Sequence, residues 1–173
     1  MAVYLITGGA RSGKSTFAED LACRLCPDSS RRCYIATAEV TDEEMEARIA
    51  RHRERREGKF FTVEAPVELG KAITENSAGA GVILVDCLTV WTNNLLYYGK
   101  EEERGKLVEA LEGASCDVVL VTNETGMGIV PANELSRRFR DLAGFINQDV
   151  AAVADTVVLM VCGLPLCVKG AAL

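Results

Sequence analysis

The densest chemistry in the chain lies in eight consecutive residues, Gly8, Gly9, Ala10, Arg11, Ser12, Gly13, Lys14 and Ser15. They spell GxxxxGK(S/T) directly after an apolar run, Val3–Thr7, and directly before a segment with helical patterning. Glycines at such spacing let the backbone fold around a phosphate, so that successive amide hydrogens and the positive end of the following helix face the anion. The Lys14 ammonium would then neutralise β and γ oxygens, and the Ser15 hydroxyl would ligate Mg2+. A simple strand-to-helix turn explains the glycines but not Lys and Ser at these positions. The eight residues are therefore assigned to the phosphates of a bound nucleotide, with Lys14 as a catalytic cation.

Phosphate sites of this kind take an acidic partner from the end of a neighbouring apolar strand, and Val82-Ile83-Leu84-Val85-Asp86 supplies one. Asp86 is a candidate for the metal or the nucleotide. It also stands where a carboxylate can cap a helix beginning near Thr89, and the two roles are compatible.

A second chemical signal is the run from Asp42 to Arg56, DEEMEARIARHRERR, in which acids come first and bases last. That order suits a helix dipole, and Glu44 and Arg48 can pair one turn apart, as on any well-made exposed helix. Five arginines nevertheless crowd around His52, the single histidine of the chain, and Arg51 and Arg55 repel each other at i,i+4. An anion would compensate. Flanking guanidinium groups disfavour the imidazolium form, leaving a neutral ring nitrogen able to attack phosphorus. The residues alone equally allow a structural histidine on a helix.

The stretch Thr122-Asn123-Glu124-Thr125-Gly126-Met127-Gly128-Ile129-Val130-Pro131 follows another apolar strand. Ligands bind at such carboxyl ends in open parallel sheets, and the glycines permit close backbone approach. A connection that merely leads to a helix capped by Asn133 fits as well. Arg137, Arg138 and Arg140 suit either a solvated helix face or a substrate phosphate.

The elements that must position these residues alternate along the chain. Strands are expected at Val3–Thr7, Cys33–Ala36, Val82–Asp86, Val118–Thr122 and Thr156–Val161. Helices are expected near Ser15–Cys26, Asp42–Arg56, Pro66–Glu75, Thr89–Tyr98, Glu102–Glu112 and Asn133–Ala154. The alternation reads as an α/β fold, a mainly parallel sheet flanked by helices, with the phosphate loop making it P-loop NTPase-like. At 173 residues without repeat or linker, the chain is expected to form a single nucleotide-binding catalytic domain, 1–173. A net charge of −6 argues against a surface that tracks nucleic acid. No apolar window reaches the roughly 20 residues of a membrane span, and Met1–Gly9 lacks the basic n-region of an export signal. Seven cysteines is an odd number, and Cys23, Cys33, Cys87, Cys116 and Cys162 lie in or beside apolar segments where reduced thiols pack as small hydrophobes. A reducing cytoplasm is the expected location. Cys23, Cys26 and Cys33 do not complete a zinc site, for want of a second CxxC pair or a nearby histidine.

Five segments taken together resemble one family: GGARSGKS (Gly8–Ser15), YIATAE (Tyr34–Glu39), DEEMEARIARHRERR (Asp42–Arg56), VDCLTVWTNNLL (Val85–Leu96) and VTNETGMGIVPANELSRRFRDLAGFINQ (Val121–Gln148). The chain is similar to the bifunctional adenosylcobinamide kinase/adenosylcobinamide-phosphate guanylyltransferases of cobalamin biosynthesis, with RIxxHxxRR and TNExGxGIVP as the most specific blocks. The resemblance runs in order over nearly the whole chain. It implies phosphorylation of the adenosylcobinamide hydroxyl with ATP or GTP as donor. Transfer of GMP from GTP onto the new phosphate would follow, giving adenosylcobinamide-GDP. It also implies that the second reaction passes through guanylylated His52, and that the enzyme is a homotrimer with nucleotide sites near subunit interfaces.

By the same resemblance the nucleotide is held, beyond the phosphate loop, by Ala36, Thr37 and Ala38, by Arg53, Glu54, Arg55 and Arg56 beside the histidine, and by Glu64 and Asp86. Phe60-Phe61 stands where the family usually has tryptophan before Thr62-Val63-Glu64. A carboxylate suits guanine, whose N1–H and 2-amino group are adjacent donors that it accepts in bidentate fashion. Two other classes share the phosphate loop. A small-molecule kinase without a covalent step needs nothing from His52, and a signalling GTPase would carry Asn-Lys-x-Asp where this chain has Thr122-Asn123-Glu124-Thr125.

Overall fold

Seven strands form one sheet in the computed structural model, which describes residues 1–39, 50, 53–54 and 56–171. They are β1 (Val3–Gly8), β2 (Arg32–Ala36), β3 (Phe61–Glu64), β4 (Val82–Asp86), β5 (Asp117–Val121), β6 (Thr156–Val161) and β7 (Leu164–Lys169), in the spatial order β3-β2-β4-β5-β1-β6-β7. All neighbours pair in parallel except β7, which returns antiparallel to β6. Among the described residues the helices are α1 (Lys14–Leu25), α2 (Leu69–Ser77), α3 (Leu88–Tyr98), α4 (Glu103–Glu112) and α5 (Glu134–Val153).

Side chains alternate across the pleat, so each central strand feeds two cores. Ile6, Leu84, Val119 and Val121 pack with Ala18, Leu21 and Ala22 of α1 on one face. Leu5, Val85, Val118 and Leu120 pack on the other with Ile73 of α2, Trp91 of α3, Leu111 of α4 and Ile146 of α5. The chain thus leaves β1 toward one face and β5 toward the opposite face, which makes their carboxyl ends the place where an open sheet offers a crevice.

The five expected strands are present, shifted by a residue at most at any end. Two strands were not expected. β3 and β7 are the sheet's edges, and because most of their side chains are exposed they show no apolar run. Pro165 within β7 is tolerated because an edge strand need not donate every amide. The helix expected from Pro66 starts at Leu69, after a turn in which the Leu69 amide donates to the Val67 carbonyl (2.8 Å). The helix expected over Asp42–Arg56 lies outside the described residues except for 50, 53, 54 and 56. Among the described residues no helix is long and apolar enough to cross a membrane, and no group of three or more His, Cys, Asp or Glu is placed to hold a metal ion.

Of the cysteines expected to pack as small hydrophobes, Cys33 and Cys116 are buried, whereas Cys162 is exposed in the β6–β7 turn, where its backbone is left-handed (φ 53°). All seven thiols are free. Burial pushes Cys33 up to about 12 and Cys87 and Cys116 each up to about 11. Native alkylation near pH 8, mapped by mass spectrometry, should therefore mark Cys162 first and spare Cys33, Cys87 and Cys116 until the protein is denatured. Equal labelling of Cys33 and Cys162 in the native protein would contradict this packing.

Polar groups from α3 lock the strand ends together. Asn94 is buried, and its Nδ2 donates to the carbonyls of Thr37 (2.8 Å) and Pro66 (2.9 Å), tying the exits of β2 and β3. Trp91 Nε1 donates to the Val67 carbonyl (2.7 Å). Asn94→Ala leaves two carbonyls without their donor, and chemical denaturation should show a loss of about 2 kcal/mol or more. A loss under about 0.5 kcal/mol would mean that water replaces the amide at no cost.

Candidate nucleotide-binding active site

The loop between β1 and α1 owes its shape to two glycines. Gly8 has φ +147°, and a Cβ there would lie 2.5 Å from the Met160 carbonyl oxygen and 2.9 Å from Ser12 Oγ. Gly13 has φ +94° at the N-terminus of α1, 3.3 Å from the Gly163 Cα if it carried a Cβ. The turn closes with the Ser12 amide donating to the Gly9 carbonyl (3.3 Å), and the Gly163 amide of the β6–β7 turn donates to the Ser12 carbonyl (3.1 Å). Gly9, Ala10 and Arg11 form the exposed rim, with Arg11 left-handed at φ 57°.

Lys14 opens α1 and is 7% exposed. Its Nζ donates to the Gly9 carbonyl (2.5 Å) and to Ser12 Oγ (3.5 Å), so the ammonium sits inside the curve of its own loop. Burial lowers its pKa, and the charges of Cys87 and Asp86 oppose that shift. Ser15 is partly exposed beside it.

The sheet register aligns several other candidates. Glu64 pairs with Ala36, Ala36 with Asp86, and Asp86 with Val121, in one row across the carboxyl ends of β3, β2, β4 and β5. Asp86 does not cap α3, whose N-cap is Cys87 with no side-chain hydrogen bond. Its Oδ2 accepts instead from the Tyr34 hydroxyl (3.0 Å). Burial first, and then the charge of Asp86, raise the Tyr34 pKa, which keeps the phenol a donor. Thr37 is fully buried; its hydroxyl donates to the Cys87 carbonyl (2.9 Å) and accepts from the Cys87 amide (3.0 Å), so its side chain holds the end of β4. Ala38, next along, is partly exposed.

Arg53 and Glu64 form an ion pair, both side chains well exposed, and Glu54 is exposed beside them. Arg56 is 5% exposed and lies over the Tyr34 ring, its Cζ 3.4 Å from the centroid. His52 and Arg55 lie outside the described residues.

The Thr122–Pro131 stretch is fastened to the phosphate loop. The Glu124 amide donates to the Gly8 carbonyl (3.1 Å), and the Asn123 amide to Thr89 Oγ1 (2.8 Å). The Thr122 hydroxyl donates to Asn147 Oδ1 (2.8 Å), and Asn147 Nδ2 to the Asn123 carbonyl (3.3 Å). Asn133 caps α5 as expected, accepting from the Ser136 amide (2.7 Å). The three arginines left undecided by sequence separate cleanly. Arg137 Nη1 donates to the carbonyls of Pro131 (3.0 Å) and Ala132 (2.6 Å), while Arg138 pairs with Glu101 (2.9 Å) and Arg140 with Asp141 (2.8 Å).

Sequence reasoning missed Tyr34, Thr89, Asn94 and Asn147. The available signal was polarity out of place, namely Thr and Asn inside the apolar LTVWTNNLLYY of α3 and a tyrosine inside the buried RCYIA of β2.

Comparison with known proteins places nearly the whole chain beside one family. Residues 4–168 match the family described as cobinamide kinase / cobinamide phosphate guanyltransferase. The chain is 44% identical over 170 residues to the bifunctional adenosylcobalamin biosynthesis protein CobP of Pseudomonas aeruginosa, covering 96% of each. It is 41% identical over 184 aligned residues to the protein of that description named CobU in Escherichia coli K12, covering 96% of this chain and 99% of the relative. The CobU of Salmonella typhimurium LT2 gives the same figures. A solved KaiC-like protein from Pyrococcus horikoshii OT3 superposes with a TM-score of 0.54 at 18% identity, over 91% of this chain and 70% of that one, and so shares the fold. With nearly its whole length matched, this chain belongs to the cobinamide kinase / cobinamide phosphate guanyltransferase family.

Proposed function

We propose that one catalytic domain performs both reactions at a shared phosphate loop, and that His52 carries GMP from GTP to the substrate phosphate in the second. The observation that carries this reading is the placement of buried Lys14 within its loop, close enough to Asp86 to feel its charge. The row of Asp86, Ala36 and Glu64 extends from that point to the ion pair with Arg53, the neighbour of His52 in sequence.

In the first reaction the aminopropanol hydroxyl oxygen of adenosylcobinamide attacks the γ-phosphorus of ATP or GTP. The bond to the β–γ bridging oxygen breaks, and the hydroxyl proton leaves to solvent. The amides of Gly8–Ser15 and the Lys14 ammonium stabilise charge on the transferred group and the leaving diphosphate. In the second reaction a neutral His52 nitrogen attacks the α-phosphorus of GTP, a P–N bond forms, and pyrophosphate departs. An oxygen of the adenosylcobinamide phosphate then attacks that phosphorus, the P–N bond breaks, and adenosylcobinamide-GDP is released with the imidazole restored. Glu64 is suited to reading guanine by exchanging its Arg53 partner for the N1–H and 2-amino donors. Arg53, Glu54, Arg55 and Arg56 complete the nucleotide contacts expected on that side.

Ser15 in the first turn of α1 and Asp86 at the end of β4 supply hard oxygens, the ligand type that suits Mg2+. Bound there, Mg2+ would supply neutralising charge to the phosphates. The seven free thiols fit a reducing cytoplasm. A homotrimer is part of this reading, and the outward apolar side chains Leu164, Leu166 and Val168 on β7 support contact between copies.

Two variants test the reading. Lys14→Ala should lower both reactions by roughly 10²-fold or more, since both draw on phosphates held in one loop; a wild-type kinase rate would break the shared-loop scheme. GTP labelled on its α-phosphate should leave acid-labile label on the wild-type protein and none on His52→Ala, which should still phosphorylate adenosylcobinamide. Full nucleotidyl transfer by His52→Ala would remove the histidine from the mechanism and return the chain to the class of simple kinases.

A further inference from the structure

Tyr34 stands between the two halves of this chemistry. It lies on β2, 3% exposed, with Cα partners Thr62 on β3 and Leu84 on β4. Its hydroxyl donates to Asp86 Oδ2 (3.0 Å), the carboxylate whose charge reaches Lys14 of the phosphate loop. Its ring carries the Arg56 guanidinium 3.4 Å from the centroid and takes Phe60 edge-on, with centroids 6.0 Å apart at 71°. Arg56 ends the run RIARHRERR that contains His52. One rigid side chain therefore touches the strand-end acid of the kinase site through oxygen and the arginine of the histidine run through its π face.

Each contact has a definite physical effect. A phenol donating to one carboxylate oxygen fixes the rotation of that carboxylate and leaves the second oxygen for another partner. A guanidinium over a desolvated ring is held in position as well as attracted, because moving it aside loses both the quadrupole attraction and the packed face. A tyrosine serving only as core would need neither contact, and leucine or phenylalanine fills such a position with no polar atom to satisfy.

We propose that Tyr34 is a positioning residue for both reactions. Its hydroxyl sets the Asp86 carboxylate for the metal-bound nucleotide, and its ring seats Arg56, one of the arginines expected on the nucleotide, for GMP transfer. The inference rests on the two-reaction reading given above, but its first half concerns nucleotide binding alone.

The test compares Tyr34→Phe, which removes the oxygen and keeps the ring, with Tyr34→Met, which fills the space without a π face. In Tyr34→Phe the Mg2+ concentration giving half-maximal binding of a fluorescent GTP analogue should rise roughly tenfold, the scale of one charge-assisted hydrogen bond. The kinase reaction should show the same displaced Mg2+ dependence. Tyr34→Met should share that displacement and, at saturating Mg2+, should lose a further factor of about ten in single-turnover protein guanylylation relative to Tyr34→Phe, with no matching further loss in the kinase rate. A Tyr34→Phe protein whose Mg2+ dependence coincides with wild type overturns the Asp86 half. Equal further losses in both reactions for Tyr34→Met overturn the Arg56 half. Should Tyr34→Met not fold, Tyr34→Trp, with a larger π face and no phenol, takes its place and should retain guanylylation at the Tyr34→Phe level; a tenfold drop there counts against the ring's role. Wild-type protein that takes no label from GTP would defeat the two-reaction reading, while the Mg2+ dependence of nucleotide binding would still decide the tyrosine–aspartate link.

Discussion

An ammonium can be taken out of water only if its protons find acceptors and its charge finds company. Lys14 meets both conditions through the Gly9 carbonyl, Ser12 Oγ and the field of Asp86. Much of the site follows from that requirement. The Gly9 carbonyl can turn inward only because Gly8 takes a conformation and a closeness to Met160 that no side chain allows. Asp86 can act on the lysine only because β4 ends beside β2 and β5, and Thr37 fixes that end by bonding both the amide and the carbonyl of Cys87. A phosphate arriving at the loop meets a cation already desolvated and aimed, so little reorganisation accompanies its charge stabilisation.

What the sequence revealed divides by physical cause. Strands β1, β2, β4, β5 and β6 were legible because apolar side chains on a strand covered on both faces leave an unbroken hydrophobic run. The edges β3 and β7 are under no such demand, and their composition reads as connection. The phosphate loop was legible because its chemistry is local, with every group within eight residues. Tyr34 was not, because its meaning lies in Asp86, 52 residues away, and in an arginine on the far side of the histidine run. Asn94 was hidden for the same reason, since it serves a carbonyl 57 residues distant. Asp86 shows the converse: its position at a strand end was plain, but its partner turned out to be a phenol and not the amides of α3.

Thr122–Pro131 leads to a helix capped by Asn133, as the connecting reading of its sequence required. Its first residues are pinned by Gly8, Thr89 and Asn147, and its last by Arg137, yet Met127, Ile129 and Val130 between them stay exposed. Fixed ends and a solvated middle are what a surface loop needs to hold a constant place beside a reaction centre while offering side chains outward.

A bond from the Gly163 amide to the Ser12 carbonyl joins the β6–β7 turn to the phosphate loop, beside the ladder pairing of Gly8 with Met160. Coupling of this sort is reciprocal: whatever stiffens the loop stiffens the turn, and whatever grips the hairpin steadies the loop. The outer strand of that hairpin is also one edge of the sheet, with apolar side chains turned to solvent. A neighbouring molecule that settled on this edge would therefore be linked to the nucleotide without touching it, and whatever it did to nucleotide affinity the nucleotide would do to its own. A neighbour on the edge and a nucleotide in the loop would then both act on that one hydrogen-bonded junction.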